Sequence, residues 1–403
     1  LIKTTMGDLT NMQVETPEKD MGFEVKVMGA PKGKGLFATK PYVSGDIIFE
    51  EKPLVCCQFL WNAAYGYAAC SYCMHPLETA EENVQRLLKN NSLTLPHPGC
   101  CKTIKEDHCW CDFCGEAYCS TLCKDDAWNQ FHKTLCLGQS EFRPNHPLVK
   151  LQDTWKQVHY PPETASILLV ARMIATIRQA KDQIGATNLF MQFCHRTVNE
   201  DEEITHKLLG TKYISQLETL RSLLIEALGG EDVQQWLTPD GFKSIMALIG
   251  TNSQGVGTSP LSVWVKNCDL LDLPNDERET LDRFIDDLYE LLDKEVGHFL
   301  NSEGSALYPL QSACNHSCVP NAMPSFPYNN FQLVMTAIKD IAVGEEICVS
   351  YLDECTLERS RHSRHKIMKE NYLFTCHCPK CESQVQEADI TSEGEMSDSS
   401  GGS

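Results

Sequence analysis

Cysteine spacing constrains this 403-residue chain more tightly than any other feature. One stretch carries Cys70-x-x-Cys73, Cys111-x-x-Cys114, Cys119-x-x-x-Cys123 and His132-x-x-x-Cys136, eight ligands that suffice for two tetrahedral zinc ions. Cys109 competes for the second pair, and Cys111 with Cys114 is preferred because Cys-x-x-Cys is the bidentate spacing. A further group, Cys376-x-Cys378-x-x-Cys381, is too closely spaced for mutual disulfides of ordinary geometry. Three thiolates need a fourth ligand to close a tetrahedron, and Cys318 within Asn315-His316-Ser317-Cys318 is the candidate. That choice brings a metal against whatever Asn315 and His316 bind.

The sequence around these residues reads as a binding site. Asn315 and His316 follow the apolar stretch Leu307-Tyr308-Pro309-Leu310, so they leave a buried segment with polar groups free to grip a small ligand. Glu346 to Tyr351 alternates as a strand whose last side chain, Tyr351, points into a site. Near the other end, Gly33 and Gly35 in Ala30 to Thr39 lie between strand-like Phe23 to Met28 and Asp46 to Glu50. Glycine there permits a tight turn and close backbone approach to a ligand.

Asn315 to Asn321, Gly344 to Tyr351 and Cys376 to Cys381, in that order, resemble the SET and post-SET motifs of lysine methyltransferases that use S-adenosylmethionine. The Gly-x-Gly-Leu run at Gly33 to Leu36 is similar to the N-terminal signature of the same fold. The resemblance implies that Gly33 and Gly35 hold the methionine end of the cofactor, with Lys32 and Lys34 near its carboxylate. It further implies that Asn252 touches the cofactor, that Asn315 and His316 bind its adenosine part, and that Phe374 packs on the adenine or lines the lysine channel. Tyr351 is then the catalytic hydroxyl that orients amine and methyl group.

The cluster between the two halves resembles the MYND zinc finger, whose interleaved sites would pair Cys70, Cys73, Cys119 and Cys123 on one ion and Cys111, Cys114, His132 and Cys136 on the other. With Cys318, Cys376, Cys378 and Cys381 on a third, the cofactors implied are S-adenosylmethionine and three Zn(II). A SET domain split by a MYND finger is identified as a member of the SET-and-MYND family of lysine methyltransferases. Tyr160-Pro161-Pro162-Glu163 and Thr251-Asn252-Ser253 match it as well. Two departures stand out: a long insertion between Cys73 and Cys111 with a helical-looking Glu78 to Lys89, and an end soon after the post-SET cysteines. The second resembles a divergent fifth branch of the family, with an acidic tail and no C-terminal helical repeat domain, and suggests a more open substrate cleft.

The expected fold is therefore α+β, a SET-domain β-fold with a pseudo-knot, split by a MYND finger and a helical insert and followed by a post-SET zinc module. Its divisions are a disordered tail (1–21), the SET N-terminal half (22–69), the finger with its insertion (70–136), the helical insert (137–300), the SET C-terminal half (301–355), the post-SET module (356–385) and a disordered acidic tail (386–403). Within the insert, Pro161-Pro162-Glu163 is expected to open a helix continuing through Ile167, Leu168, Ala171 and Ile174. Tyr213 to Leu228 and Glu277 to Leu300 repeat the helical pattern. The basic run Arg359-x-Arg361-His362-x-Arg364-His365-Lys366 reads as a solvated helix face.

Of the 21 cysteines, the ten outside the three metal groups (Cys56, Cys57, Cys100, Cys101, Cys109, Cys194, Cys268, Cys314, Cys348 and Cys355) read as reduced thiols, and none sits in a recognised nucleophile motif. No run of 18 apolar residues points to a membrane span, and the opening Leu1 to Met6 is too short an apolar stretch for a signal peptide. A monomer of nucleus and cytoplasm is expected.

Charge indicates the partner. The formal net charge of −20 becomes about −25 once excess thiolate charge is counted, so a basic, lysine-rich protein is attracted over the whole surface. Histones and ribosomal proteins are both admissible. From Cys70 to Cys136 the finger carries six Lys or Arg against nine Asp or Glu, the wrong balance for phosphate neutralisation. Nucleic acid is thus not expected, and a proline-rich peptide is the ligand the MYND resemblance suggests. The alternative to an enzyme is a catalytically weak adaptor that recruits proteins through the finger and acidic surface. The intact Asn315, His316 and Tyr351 favour the enzyme.

Overall fold

The computed structural model describes residues 21–29, 33–138, 144–196 and 214–386. Lys32 and most of the two tails read as disordered lie outside the described residues.

Four small sheets form the frame of the site. Phe23–Gly29 and Gly33–Ala38 make an antiparallel hairpin in which Val25 faces Leu36. Ile47–Glu51, Leu333–Ala337 and Ala322–Ser325 form a second sheet, with Met335 opposite Phe49. In the third, Ser302–Leu307 lies between Val55–Gln58 and Gln254–Thr258. Gly304 belongs there because the strands approach closely: a Cβ would fall 2.3 Å from the Cys57 carbonyl oxygen.

The fourth pairing is short and decisive for the site. The alternating run Glu346 to Tyr351 forms a strand only at Cys348–Val349, pairing in parallel with Asn315–His316. Flanking bonds extend the contact on both sides. Ser317 N–H donates to Val349 O (2.9 Å), Cys348 N–H donates to Asn321 Oδ1 (2.8 Å), and Ile347 N–H donates to Leu36 O (2.7 Å). The three motifs distant in sequence therefore share one ladder. Side chains take up backbone bonding that a longer strand would make, which is why the alternation overstates its length.

The helical region packs around Ile167–Gln179, ten of whose thirteen residues are buried. A helix apolar all round must lie inside, and this one is covered by Pro147–Val158, Ile214–Leu228 and Pro239–Asn252 in a core that includes Trp155, Ile174 and Phe242. Its start corrects the sequence reading. Pro161-Pro162-Glu163 does not open the helix: the Pro161–Pro162 peptide is cis, Glu163 accepts from Trp61 N–H at 2.8 Å, and the N-cap is Ser166, whose hydroxyl accepts from Leu168 N–H at 3.2 Å.

The segment between Cys73 and Cys111 contains the helix Ala80–Leu88, started by a capping box between Thr79 and Glu82. Val84 and Leu87 pack with Trp264, Leu281 and Leu288 from Pro260–Asp269 and Asn275–Val296. Trp264 donates to Pro96 O at 2.9 Å and Asn267 to Cys100 O at 2.7 Å. The segment thus ties the cysteine-rich region onto the helices Pro260–Asp269 and Asn275–Val296.

Candidate active site and metal centres

A cavity of about 910 Å³ opens where the hairpin, the Asn315–His316 pairing and the C-terminal cysteines meet. Of the residues nominated from sequence, Gly33, Lys34, Asn252, Asn315, His316, Tyr351 and Phe374 line it. Gly35 is not on its wall but stands behind it. A Cβ there would come within 2.8 Å of the Phe37 ring, 3.0 Å of Glu346 Oε1 and 3.3 Å of Asn315 Nδ2, so glycine is what lets the hairpin close on Asn315.

Two of these residues have their amide nitrogens committed within the protein. Asn315 Nδ2 donates to Lys34 O (2.8 Å) and Glu346 Oε1 (2.7 Å), fastening the N-terminal hairpin to the C-terminal motif. Asn252, at the C-terminal end of Pro239–Asn252, donates to Cys194 O (2.7 Å) and Leu248 O (2.8 Å). Their amide nitrogens tie neighbouring segments of the wall together.

His316 has both ring nitrogens engaged. Nδ1 accepts from Tyr351 N–H at 2.9 Å, which leaves the proton on Nε2, 3.4 Å from Cys318 Sγ. Burial pushes its pKa down to about 4, so the ring is neutral and neither nitrogen is free to take a proton from a substrate. Tyr351 donates its hydroxyl to Cys314 O at 2.8 Å, and burial holds its phenol above the ordinary range, so it keeps that proton.

The ring of Tyr351 belongs to an aromatic box. Tyr372 lies 4.9 Å from it, His316 5.4 Å, and Phe374 6.4 Å at an edge-on 87°. Tyr372 lies outside the motifs that mark the site in the sequence. It ends the helix Arg361–Tyr372, after which Leu373 in the left-handed conformation (φ 61°) turns the chain so that Phe374 enters the same cavity. An aromatic two residues ahead of Phe374 was the available signal. Arg196 and Cys348 also line the cavity.

The cysteines gather into three groups: Cys70, Cys73, Cys119 and Cys123; Cys111, Cys114, His132 and Cys136; and Cys318, Cys376, Cys378 and Cys381, with all ligand atoms of a group within 4.8 Å of one another. Cys109 stays outside. Sulfur separations of 3.6 Å for Cys73 with Cys119, 3.8 Å for Cys111 with Cys136 and 3.6 Å for Cys318 with Cys381 are far too long for S–S bonds. They approach the edge of about 3.8 Å expected for a tetrahedron of zinc–sulfur bonds, so the donor sets fit Zn(II). The π-helical turn Trp128–His132 presents His132, which burial holds neutral, the form that ligates. Cys376 and Cys378 line the cavity itself, so the third centre forms part of its wall.

The family model that matches, described as the SET domain, spans residues 33–352. The chain is 58% identical over 372 residues to Protein-lysine N-trimethyltransferase SMYD5 of Gallus gallus, covering 92% of this chain and 89% of that one. It is 55% identical over 390 residues to the SMYD5 of Danio rerio (97% and 94%) and 57% over 370 to that of Homo sapiens (92% and 88%). With Gly33, the Asn315–His316 ladder and Tyr351 meeting at one cavity, the chain belongs to the SET-domain family and, within it, to the SMYD group.

Proposed function

We infer that the protein transfers a methyl group from S-adenosylmethionine to the ε-amine of a lysine in a protein substrate. The observation that carries this reading is the Tyr351 hydroxyl, fixed on Cys314 O beside an aromatic box at a cavity that the N- and C-terminal motifs build together. When bound there, S-adenosylmethionine supplies an electrophilic methyl group on a cationic sulfur.

The chain's own residues supply position and dryness. Lys34 and Arg196, both on the cavity wall, suit the cofactor's carboxylate, while Asn315, His316 and Phe374 form the side suited to its adenosine. A free lysine amine, with a pKa of about 10.4, is mostly protonated at neutral pH. Burial between Tyr351, Tyr372 and Phe374 would disfavour the ammonium by desolvation, so the amine would release its proton to solvent before transfer and no dedicated base is required. The Tyr351 hydroxyl then orients the neutral amine toward the methyl group, and acceleration comes chiefly from alignment.

The finer architecture belongs to the same proposal. Asn315 to Asn321 and Gly344 to Tyr351 form the pseudo-knot of a SET domain, Cys70 to Cys136 a MYND finger, and Cys376 to Cys381 a post-SET module. Three Zn(II) ions occupy the three donor sets. The substrate is a basic protein of the nucleus or cytoplasm, histone or ribosomal, drawn by the net charge of −20. A proline-rich segment is the ligand proposed for the finger, and the protein acts as a monomer.

The test is transfer of label from S-adenosylmethionine to core histones and to ribosomal proteins, with the modified residue identified by mass spectrometry. Methyl-lysine in either pool supports the proposal and names the preferred substrate. Cofactor binding with no transfer to either would favour the adaptor. Absence of cofactor binding in folded, zinc-loaded protein would sink the reading.

A further inference from the structure

The basic run Arg359 to Lys366, read from sequence as a solvated face, hides one residue that solvent does not reach. Arg364 is 0% exposed. Its Nη2 lies 3.5 Å from Cys381 Sγ and 2.7 Å from Gln384 Oε1, and its Nη1 donates to Arg359 O. Among the described residues no carboxylate pairs with it. A guanidinium does not lose its proton in a protein, and a buried charge left without a counter-charge is strongly unfavourable. Four neutral thiols offer Arg364 no such counter-charge. A divalent ion held by Cys318, Cys376, Cys378 and Cys381 leaves two net negative charges on the sulfurs and does offer one.

We propose that Arg364 is the counter-charge of this four-cysteine centre and, through it, a positioning residue for Tyr351. Arg361 adds a backbone tie, donating from Nε to Cys381 O at 2.9 Å. On the far side, His316 Nε2 lies 3.4 Å from Cys318 Sγ, and its Nδ1 holds the Tyr351 N–H. The path from guanidinium to catalytic tyrosine thus runs Arg364, Cys381, metal, Cys318, His316, Tyr351. Neither finger centre has an arginine in contact with a ligand sulfur among the described residues, so the effect is specific to one ion of three. The inference rests on the proposed metal occupancy and methyl transfer, but its first readout is metal content, which does not depend on transfer.

The test uses the full chain as wild type, Arg364→Met and Arg364→Lys, zinc-loaded and equilibrated with graded chelator, with zinc per chain measured directly. In Arg364→Met one ion of three should be held about 10- to 100-fold more weakly, the range for lost partners of metal ligands. Arg364→Lys, which keeps the charge, should recover most of that loss. The same order should hold for kcat at saturating cofactor. Three ions held with wild-type affinity in Arg364→Met would overturn the proposal, as would a lysine variant that loses its ion as readily as the methionine variant. Should Arg364→Met not fold, Arg364→Lys decides alone, three retained ions supporting the proposal and two overturning it. A wild type that keeps three ions but transfers no methyl would defeat the functional reading and leave the metal result standing.

Discussion

The Tyr351 hydroxyl donates to the Cys314 carbonyl at 2.8 Å, one residue before Asn315, whose amide bridges Lys34 and Glu346. The hydroxyl proposed to act in transfer and the wall proposed to cradle the cofactor are therefore fastened to adjacent residues of one turn. Disturbing that turn should affect binding and chemistry together, whereas removing only the hydroxyl should affect chemistry alone.

Asn315→Ala removes both bridging bonds. At roughly 0.5–1.5 kcal/mol for each hydrogen bond, S-adenosylmethionine should bind about 10-fold more weakly. Isothermal titration checks this, and an unchanged dissociation constant would refute the bridge as part of the cradle.

Glu51 makes stability depend on pH. Its buried carboxyl accepts from Leu310 N–H (2.7 Å) and Gln311 N–H (3.0 Å) at the start of the same turn, and burial raises its pKa from the ordinary 4.5 to about 8. The folded state therefore holds this proton more tightly than the unfolded one. Its contribution is fully present below pH 4.5 and is lost as pH rises through about 8, at ~1.36 kcal/mol per pKa unit. Urea midpoints should fall across that window in the wild type and fall less in Glu51→Gln. Parallel profiles would contradict the assignment.

Gly304→Ala should destabilise without touching the cavity. The new methyl group meets the Cys57 backbone at 2.3 Å, which a side-chain rotation cannot relieve, so the central strand must shift at a cost of about 1–3 kcal/mol. Thermal melting measures it.

Stripping the metals should abolish cofactor binding before it abolishes all secondary structure. Cys376 and Cys378 line the cavity and Cys318 lies two residues from His316, while the helical core around Trp155 contains no ligand. Circular dichroism and cofactor titration on the same chelated sample separate the two effects. Full cofactor affinity in metal-free protein would contradict the shared wall.

What the sequence made legible was local. Cys-x-x-Cys pairs declare themselves because their members are neighbours on one turn, and Asn315, His316 and Tyr351 lie in motifs of consecutive residues. What it concealed was decided by tertiary contact. Glu51 carries no local mark of its bonds to a turn 259 residues away. Arg364 looks like any other residue of a basic run until the C-terminal cysteines meet it. Ser166, not Pro161-Pro162-Glu163, starts the central helix, while the Glu163 carboxylate is engaged by the distant Trp61 N–H. Tyr372 joins the site only through the left-handed turn at Leu373.

The most direct test of the central claim is a paired measurement on wild type and Tyr351→Phe: cofactor dissociation constant and single-turnover methyl transfer to a lysine substrate. Loss of the hydroxyl leaves the ring in its box but removes the bond to Cys314 O and the group proposed to orient the amine, so affinity should stay within a few-fold while transfer falls about 10²-fold. Transfer at the wild-type rate in Tyr351→Phe would contradict the role given to that hydroxyl.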